Sequence, residues 1–581
     1  MHGYTAPIDD ILRALRVAGL DELLHTPAYE GVDEATIREA LEGFGRLAEE
    51  VITPTDVIGD RQGATLDRAT ATVSLPDELV SAFDAYMDGG WGAIAAPVEH
   101  GGGGLPKVLA TAVHEIFGSA NLALSVNPML TQSAIELLER WGDERQQHVV
   151  LPRLVSGEWT GTMNLTEPDA GSDLGAIRSM AEPTGDGRWS VNGTKIYITW
   201  GEHELRRNIV HLVLARTPGA PEGTKGISLF LVPKVHFADD GSLGERNGVR
   251  CVGLEHKLGI HSSPTCVLSF EHAIGELVGP LHGGMAAMFS MMNPARLSVG
   301  VQGVSIGERA RQQAVAYASE RRQGGDPDHP GGPVTIDVHP DVRRTLADLA
   351  ATVDAIRMLT YTTGIEGDLA DRHPDDARRD RARRRADLLT PLAKSFGTDQ
   401  GVRLASIALQ VHGGMGFIEE TGIAQRYRDA RIAPIYEGTN GIQAIDLALR
   451  KIVRDGGVAL HELLDEVDTT TDAARANSDL GEVCDELTAA SAEVRAHAAW
   501  LMARHATHRR TVLTGATAFQ ELLSLVVCTH LLVKAAIAPG ASNTETARAR
   551  LFAATLLGRR PRLGDTTLDS AHVDAALGTH R

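Results

Sequence analysis

The string RIAPIYEGTNGIQ, residues 431–443, sets one carboxylate, Glu437, between an aromatic, Tyr436, and a glycine, Gly438. Gly438 and the Asn440-Gly441 pair free the backbone for tight or left-handed conformations, while Ile432, Ala433, Pro434 and Ile435 offer a dry wall beside the carboxylate. Burial against such a wall raises a carboxylate's pKa toward the working pH and makes it a better proton acceptor, so Glu437 is a candidate general base. An ordinary surface turn uses the same residue types and is the commoner explanation of this stretch taken alone. The elements around it have to decide.

A chain of 581 residues exceeds the roughly 250–300 at which single cores stop growing, so three or four domains are expected. The hydrophobic share of 43% and charged share of 23% are those of a globular protein, and an aromatic share of 4% points to cores of Ala, Leu, Val and Ile, leaning to helix. A net charge of -20 argues against a nucleic-acid partner. Cys251, Cys266, Cys484 and Cys528 are too far apart for a CxxC metal site and too few for a disulfide framework. They are expected as reduced core thiols in a cytoplasmic protein, with no metal. The opening MHGYTAPIDDILRALRVAGL lacks the basic-then-apolar pattern of a signal peptide. The most apolar stretch, 519–538, is interrupted by Gln520, Glu521, His530 and Lys534, so no membrane span is expected.

The hydrophobic period divides the chain. Residues 1–34 read as an N-terminal extension, in which Ile8, Ile11, Leu12 and Leu15 have helical spacing, and 35–160 as a helical domain. Within it APVEHGGGGLP, 96–106, reads as a flexible connector, although four glycines also let backbone approach a ligand. From Glu158 the period shortens. WTGTMNLTEP, RWSVNGTKIYIT, IVHLVLAR, GISLFLVP and TCVLSFEHA predict at least five strands, a central antiparallel β domain over 161–281, with Asn192-Gly193 as a hairpin turn. Residues 282–456 return to helix as a bundle, with Met285, Met288, Phe289 and Met292 read as core and GGDPDHPGGP, 324–333, as its longest exposed connection. Arg378, Arg379, Arg381, Arg383, Arg384 and Arg385, interleaved with aspartates, predict a solvated face. Residues 457–581 read as a C-terminal helical extension in which Arg548, Arg550, Arg559, Arg560 and Arg562 are expected to be solvated. The fold class is α+β, mainly α.

Four motifs then fall in order: MNLTEPDAGSD at 163–173, KIYIT at 195–199, QVHGGMGF at 410–417 and YEGT at 436–439. Together they resemble the acyl-CoA dehydrogenases over about residues 35–453. The early YTAPIDD, the run EHKLGIHSSPT at 255–265 and the C-terminal extension resemble the large bacterial subgroup described as 3-methylmercaptopropionyl-CoA dehydrogenase-like. The resemblance implies FAD. It places Leu165, Thr166, Ser172, Tyr197 and Thr199 on the cofactor, and Arg321, Gln410, Gly413 and Gly414 on it from a neighbouring chain of a homodimer or homotetramer. Thr439 and Gln443 match further FAD contacts, and Ser172, Asn293, Arg296, Tyr436 and Gly438 match substrate contacts. Relatives carry Arg-x-x-Phe-Gly where this chain has Arg321-Arg322-Gln323-Gly324-Gly325, so the aromatic is missing and Arg322 competes with Arg321. Gly441 stands where many members have Gln, and Trp200 where many have Asn or a small residue.

The implied reaction is α,β-dehydrogenation of an acyl-CoA thioester to the trans-2-enoyl-CoA, with Glu437 taking the α-proton, flavin N5 taking the β-hydride and electron transfer flavoprotein receiving the electrons. The backbone N–H of Glu437 and a ribityl hydroxyl would bind the thioester oxygen as it gains charge. The alternatives are an oxidase of the same fold that uses O2, and a flavin-binding subunit or DNA-associated flavoprotein without this activity; fold alone does not choose among them.

Overall fold

The structure is a computed structural model describing residues 3–329, 331–561, 563 and 570–577. It divides into two compact units, residues 42–298, and residues up to 41 together with those from 299 onward. The chain opens with α1 (Ile8–Ala18), α2 (Leu20–Leu24) and α3 (Glu34–Leu47), the last running across the first division. As its spacing predicts, α1 buries Ile11, Leu12 and Leu15; it stops at Gly19, whose φ of 109° lets its N–H reach back to the carbonyls of Leu15 and Arg16.

The unit of residues 42–298 begins with helices and a short hairpin: α4 (Thr53–Gln62), β1 (Thr65–Asp67), β2 (Thr72–Ser74), α5 (Asp77–Asp88), α6 (Lys107–Ala120), α7 (Leu122–Trp141) and α8 (Leu151–Val155). An aromatic cluster forms here, Phe44 on Tyr86 at 5.9 Å between ring centroids and Tyr86 on Phe117 at 4.8 Å. The glycine run is not a loose connector. Gly102, Gly103, Gly104 and Leu105 donate to Pro97, Ala93, Ala96 and Ile94, and a Cβ on Gly102 would lie 2.1 Å from the Ala96 carbonyl oxygen, so the glycines permit a folded-back turn packed backbone on backbone.

The strands follow: β3 (Trp159–Asn164), β4 (Met180–Pro183), β5 (Trp189–Thr199), β6 (Asn208–Arg216), β7 (Ile227–Pro233), β8 (Val235–Phe237), β9 (Leu243–Arg246), β10 (Val249–Leu254) and β11 (Thr265–Val278). β11, β5, β4, β6 and β7 pair in a ring around Val191, Val213, Phe230, Val232 and Leu268, with β10 and β3 added at β11 and β6. Pairing within this barrel is antiparallel except for β3 with β6 and one bridge between β4 and β6. The expected hairpin at Asn192-Gly193 is overturned, because β5 runs straight through it. Gly193 is needed there for close approach: its φ is 147° and a Cβ would sit 2.3 Å from Ser179 Oγ. Asn192 Oδ1 accepts the backbone N–H of His272 at 2.8 Å, inside the bulge of the facing strand, where His272 has a φ of 52°.

The second unit is a bundle of long helices: α9 (Gly284–Glu320), which runs across the division at 298/299, α10 (Pro340–Arg372), α11 (Asp376–Val411), α12 (Ile423–Ala430) and α13 (Asn440–Asp446). Beyond residue 299, α9 meets α11 through glycines. A Cβ on Gly303 would be 2.1 Å from the Gly397 carbonyl oxygen, one on Gly300 2.8 Å from that of Ala393, and one on Gly401 2.9 Å from Gly303 Cα, so the two backbones touch. The same unit holds α14 (Val458–Ala474), α15 (Gly481–Arg504), α16 (Arg509–Ala536) and α17 (Asn543–Thr555). α16 packs on α10, α11 and α13. Among the described residues it is the one helix long and apolar enough to cross a membrane, and most of its apolar window is buried by these neighbours.

Two arginine expectations hold only in part. Arg378 donates to Glu22 of α2 at 2.6 Å and to Glu366 at 2.9 Å, and Arg385, 4% exposed, donates to Glu466 of α14 at 3.0 Å, so these two clamp both extensions to the bundle, whereas Arg381 and Arg383 are exposed as expected. Arg548 pairs with Asp354, and Arg560 donates to Glu493 at 2.7 Å and Glu486 at 2.8 Å, whereas Arg550 and Arg559 are exposed as expected; Arg562 lies outside the described residues. Around Asp354 the pairing widens into a network: Arg13 of α1 at 3.3 Å, Arg357 at 3.4 Å, and Arg357 on to Glu308 at 3.1 Å. The surplus of acidic residues in the sequence hid these arginines, because periodicity shows which face of a helix is polar but not which partner meets it. All four cysteines are buried and free, as core thiols should be.

Candidate active site

In the second unit the turn after α12 carries Glu437 at a φ of 55°, followed by Gly438 at 85°. A side chain costs roughly 1–2 kcal/mol in that region, which neighbouring contacts must offset. Three hydrogen bonds do so. Asn440 N–H donates to the Pro434 carbonyl at 3.0 Å and closes the turn, Gln443 Nε2 donates to the Glu437 carbonyl at 3.2 Å, and Lys394 Nζ of α11 donates to the Gly438 carbonyl at 2.9 Å. Gly438 suits its positive φ, and a Cβ there, 2.8 Å from Gln443 Nε2, would push that amide from its bond to Glu437. Glu437 is half-buried; of the expected dry wall Ala433 is buried and Ile432 and Pro434 are half-buried, but Ile435 is 51% exposed and does not contribute.

Tyr436 donates its hydroxyl to Gln302 Oε1 of α9, and burial raises its pKa against the opposing pull of that bond. Thr439 caps α13, its Oγ1 accepting the Ile442 N–H at 3.3 Å. Gln443 is fully buried, and with its amide nitrogen committed to Glu437, its Oε1 meets no donor among the described residues. Lys394 and Gln302 were missed in the sequence. Their only signal is a polar residue in an otherwise apolar helical run, which looks the same as an exposed position until the facing helix is known.

The same unit presents the glycine turn after α11. Gln410, Gly413 and Gly414 are exposed, Gly413 has a φ of 59°, and nothing lies within 4 Å of where a Cβ on either glycine would be. Met415, Phe417 and Ile418 beside them are 47%, 87% and 44% exposed. Arg321, at the end of α9, is exposed and donates to Gln323 at 3.3 Å, whereas Arg322 is tied to the Pro333 carbonyl.

In the first unit the loop 165–173 is held by a buried ion pair. Lys195 of β5, wholly buried, donates to Glu167 Oε1 at 2.7 Å and to the Leu165 carbonyl at 3.1 Å. Glu167 also accepts the backbone N–H groups of Arg178 at 2.6 Å and Ser179 at 3.1 Å. Burial lowers the Lys195 pKa to about 8 against the pull of Glu167. Burial would raise that of Glu167, but Lys195 and the N–H donors outweigh it and lower it.

The Thr166 carbonyl accepts Ile196 N–H at 2.9 Å, so loop and strand present one surface. On it Tyr197 stands 60% exposed at a φ of 59°, while the hydroxyls of Thr166, Ser172 and Thr199 enter no hydrogen bond among the described residues. A flat aromatic beside hydroxyls with unspent bonding capacity fits a flavin, which needs an apolar face and polar contacts along its edge. Trp200 turns away, 1% exposed at a φ of 54°, with its backbone N–H donating to the Pro264 carbonyl at 2.7 Å. Asn293 is exposed, whereas Arg296 is buried beneath it, 3.4 Å from its Oδ1.

A helical region, a β barrel and a helical bundle in that order, with a braced glutamate on the last and a rigid polar loop on the second, define a flavoenzyme of the acyl-CoA dehydrogenase type. Residues 37–158, 162–273 and 282–452 match the N-terminal, middle and C-terminal domains of acyl-CoA dehydrogenase, and the chain belongs to that family. It is 48% identical over 456 residues to the 3-methylmercaptopropionyl-CoA dehydrogenase of Ruegeria pomeroyi, covering 78% of this chain and 77% of that one. It is 38% identical over 485 residues to the broad-specificity linear acyl-CoA dehydrogenase FadE5 of Mycobacterium tuberculosis, covering 81% and 79%. In fold it resembles Caenorhabditis elegans ACDH-11 in complex with C11-CoA, with a TM-score of 0.82 at 20% identity over 99% of this chain and 95% of that one. A Bacillus anthracis acyl-CoA dehydrogenase complexed with FAD gives 0.74 at 21% identity over 96% and 93%. The protein is an oxidoreductase of acyl-CoA thioesters with FAD as its cofactor.

Proposed function

We propose that Glu437 is the base that removes the α-proton of an unbranched acyl-CoA, giving the trans-2-enoyl-CoA. The observation that carries this is the left-handed Glu437, held by bonds to its own carbonyl and to that of Gly438. A carboxylate kept in so costly a conformation serves a purpose that an ordinary turn residue does not. Leu165, Thr166, Ser172, Tyr197 and Thr199 would hold FAD, joined by Thr439 and Gln443, with Arg321, Gln410, Gly413 and Gly414 contributing from a second copy of the chain. Bound there, FAD supplies the acceptor for the hydride that leaves the β-carbon. The Glu437 backbone N–H stabilises the thioester oxygen as the α-carbon loses its proton, and Gly438 keeps that approach open. Tyr436 lines the acyl site, with Asn293 and Arg296 toward the CoA.

The exposed Phe417 beside two open glycines supports a homo-oligomer, since so apolar a tip is normally covered. Electron transfer flavoprotein is the proposed oxidant, and the four free thiols fit a cytoplasmic setting. The 3-methylmercaptopropionyl-CoA relative and the broad-specificity linear one support a substrate without branching at the α- or β-carbon.

The test is anaerobic mixing of the holoenzyme with butyryl-, octanoyl- and 3-methylmercaptopropionyl-CoA while flavin absorbance is followed. Glu437→Gln should keep its FAD yet bleach at least about 10²- to 10⁴-fold more slowly. A variant that bleaches at the wild-type rate would remove Glu437 from this role, and rapid peroxide release in air would make the protein an oxidase.

A further inference from the structure

We propose that Lys394 and Asn440 form a clamp that aims Glu437, making Lys394 a positioning residue for the reaction. This rests on the reading of Glu437 as the base. Lys394 is wholly buried, and its ammonium bridges the Gly438 carbonyl at 2.9 Å and Asn440 Oδ1 at 2.8 Å. Asn440 in turn spends its amide nitrogen on α11, donating to Asp399 Oδ1 at 2.8 Å, Thr398 Oγ1 at 3.1 Å and the Ser395 carbonyl at 3.2 Å. The residue after the catalytic turn and the lysine beside it are thus fixed to one stretch of α11.

That stretch is itself immobilised on its other sides. Gly300 of α9 lies against it so closely that a Cβ would be 2.8 Å from the Ala393 oxygen and 3.3 Å from Lys394 N. Gln520 of α16 donates to the Pro391 carbonyl at 3.2 Å, one turn before the lysine. Burying an ammonium is costly unless its protons are bonded, so a neutral hydrophobic residue would serve better if only packing were required. The charge is placed instead on the Gly438 carbonyl, one peptide beyond the Glu437 carbonyl that Gln443 Nε2 holds, so the two bonds together fix the peptides on either side of Gly438. A misplacement of about 1 Å in a reacting group can cost 10²-fold in rate, which is the scale on which such a clamp acts.

The experiment compares Lys394→Met, Lys394→Gln and Asn440→Ala holoenzymes with wild type and Glu437→Gln in the same anaerobic assay, with rates expressed per bound FAD. Lys394→Met is expected to bleach 10²- to 10³-fold more slowly, with its dissociation constant for the enoyl-CoA product within threefold of wild type and a larger isotope effect from an α-deuterated substrate. Lys394→Gln, which restores one donor, should recover at least tenfold over Lys394→Met. A merely structural lysine would lower the amount of folded holoenzyme while leaving the rate per FAD and the isotope effect unchanged, and that result overturns the proposal. If Lys394→Met does not fold, Asn440→Ala decides: a loss of at least tenfold per FAD supports the clamp, and a rate within threefold of wild type refutes it. Normal bleaching by Glu437→Gln would instead refute the assignment of the base.

Discussion

A glutamate at positive φ and a lysine with no exposed surface are both expensive residues, and in this chain each is accounted for by the other's neighbourhood. The pair Lys195 and Glu167 follows the same rule in the first unit, where it pins the loop on which Thr166 and Ser172 stand. Glu167→Gln would leave the Lys195 ammonium buried without its counter-charge, a change that costs roughly 3–5 kcal/mol for a buried pair. The expected outcome is a fall in melting temperature together with loss of FAD on gel filtration, because the same contacts hold the loop. Retention of full FAD occupancy with an unchanged melting curve would show that the loop is held by its backbone bonds alone.

Among the helices, the second unit is fastened by charge as much as by apolar burial. The first helix, the bundle and α17 meet at the network of Arg13, Glu308, Asp354, Arg357 and Arg548. Burial pushes both acids toward the neutral form, but Arg357 and Arg311 hold Glu308 at about 2, below its ordinary 4.5, whereas burial prevails at Asp354 and leaves its pKa raised. A carboxylate whose pKa is lowered on folding stabilises the fold fully above its unfolded value and loses that contribution as pH falls through the folded one. At 1.36 kcal/mol per unit, Glu308 should contribute about 3 kcal/mol above pH 4.5 that fades toward pH 2. Thermal melts over that window should show the wild type losing stability more steeply than Glu308→Gln, which starts less stable at neutral pH. Parallel acid limbs would assign the acid sensitivity to other carboxylates, Glu167 and Glu466 first, both of which also have lowered values.

For the molecule as a whole, the C-terminal extension shares one compact unit with the bundle. α16 covers α10, α11 and α13, the helices that carry Lys394 and Gln443, and buries Leu522, Leu523, Val526 and Leu532 in doing so. Removing residues 457–581 would expose those faces and leave Arg385 without Glu466. The truncated chain is expected to aggregate or to lose FAD on expression, and recovery of a soluble holoenzyme with wild-type bleaching would show the extension to be dispensable to the site.

The sequence by itself determined the order of helical, β and helical regions, because burial repeats every 3.6 residues in one and every two in the other. It also marked Glu437 through the glycines around it, and the family through four ordered motifs. It misjudged Asn192-Gly193, since a glycine that permits a turn equally permits close approach of Ser179, and local residue types do not tell the two apart. It read Arg378 and Arg385 as solvated because their partners, Glu22 and Glu466, are remote in sequence. Only the tertiary structure brought Lys394, more than forty residues before Gly438, onto its carbonyl. Hydrogen bonds between distant segments leave no period in a sequence, so what holds the base in place was decided by packing and not by pattern.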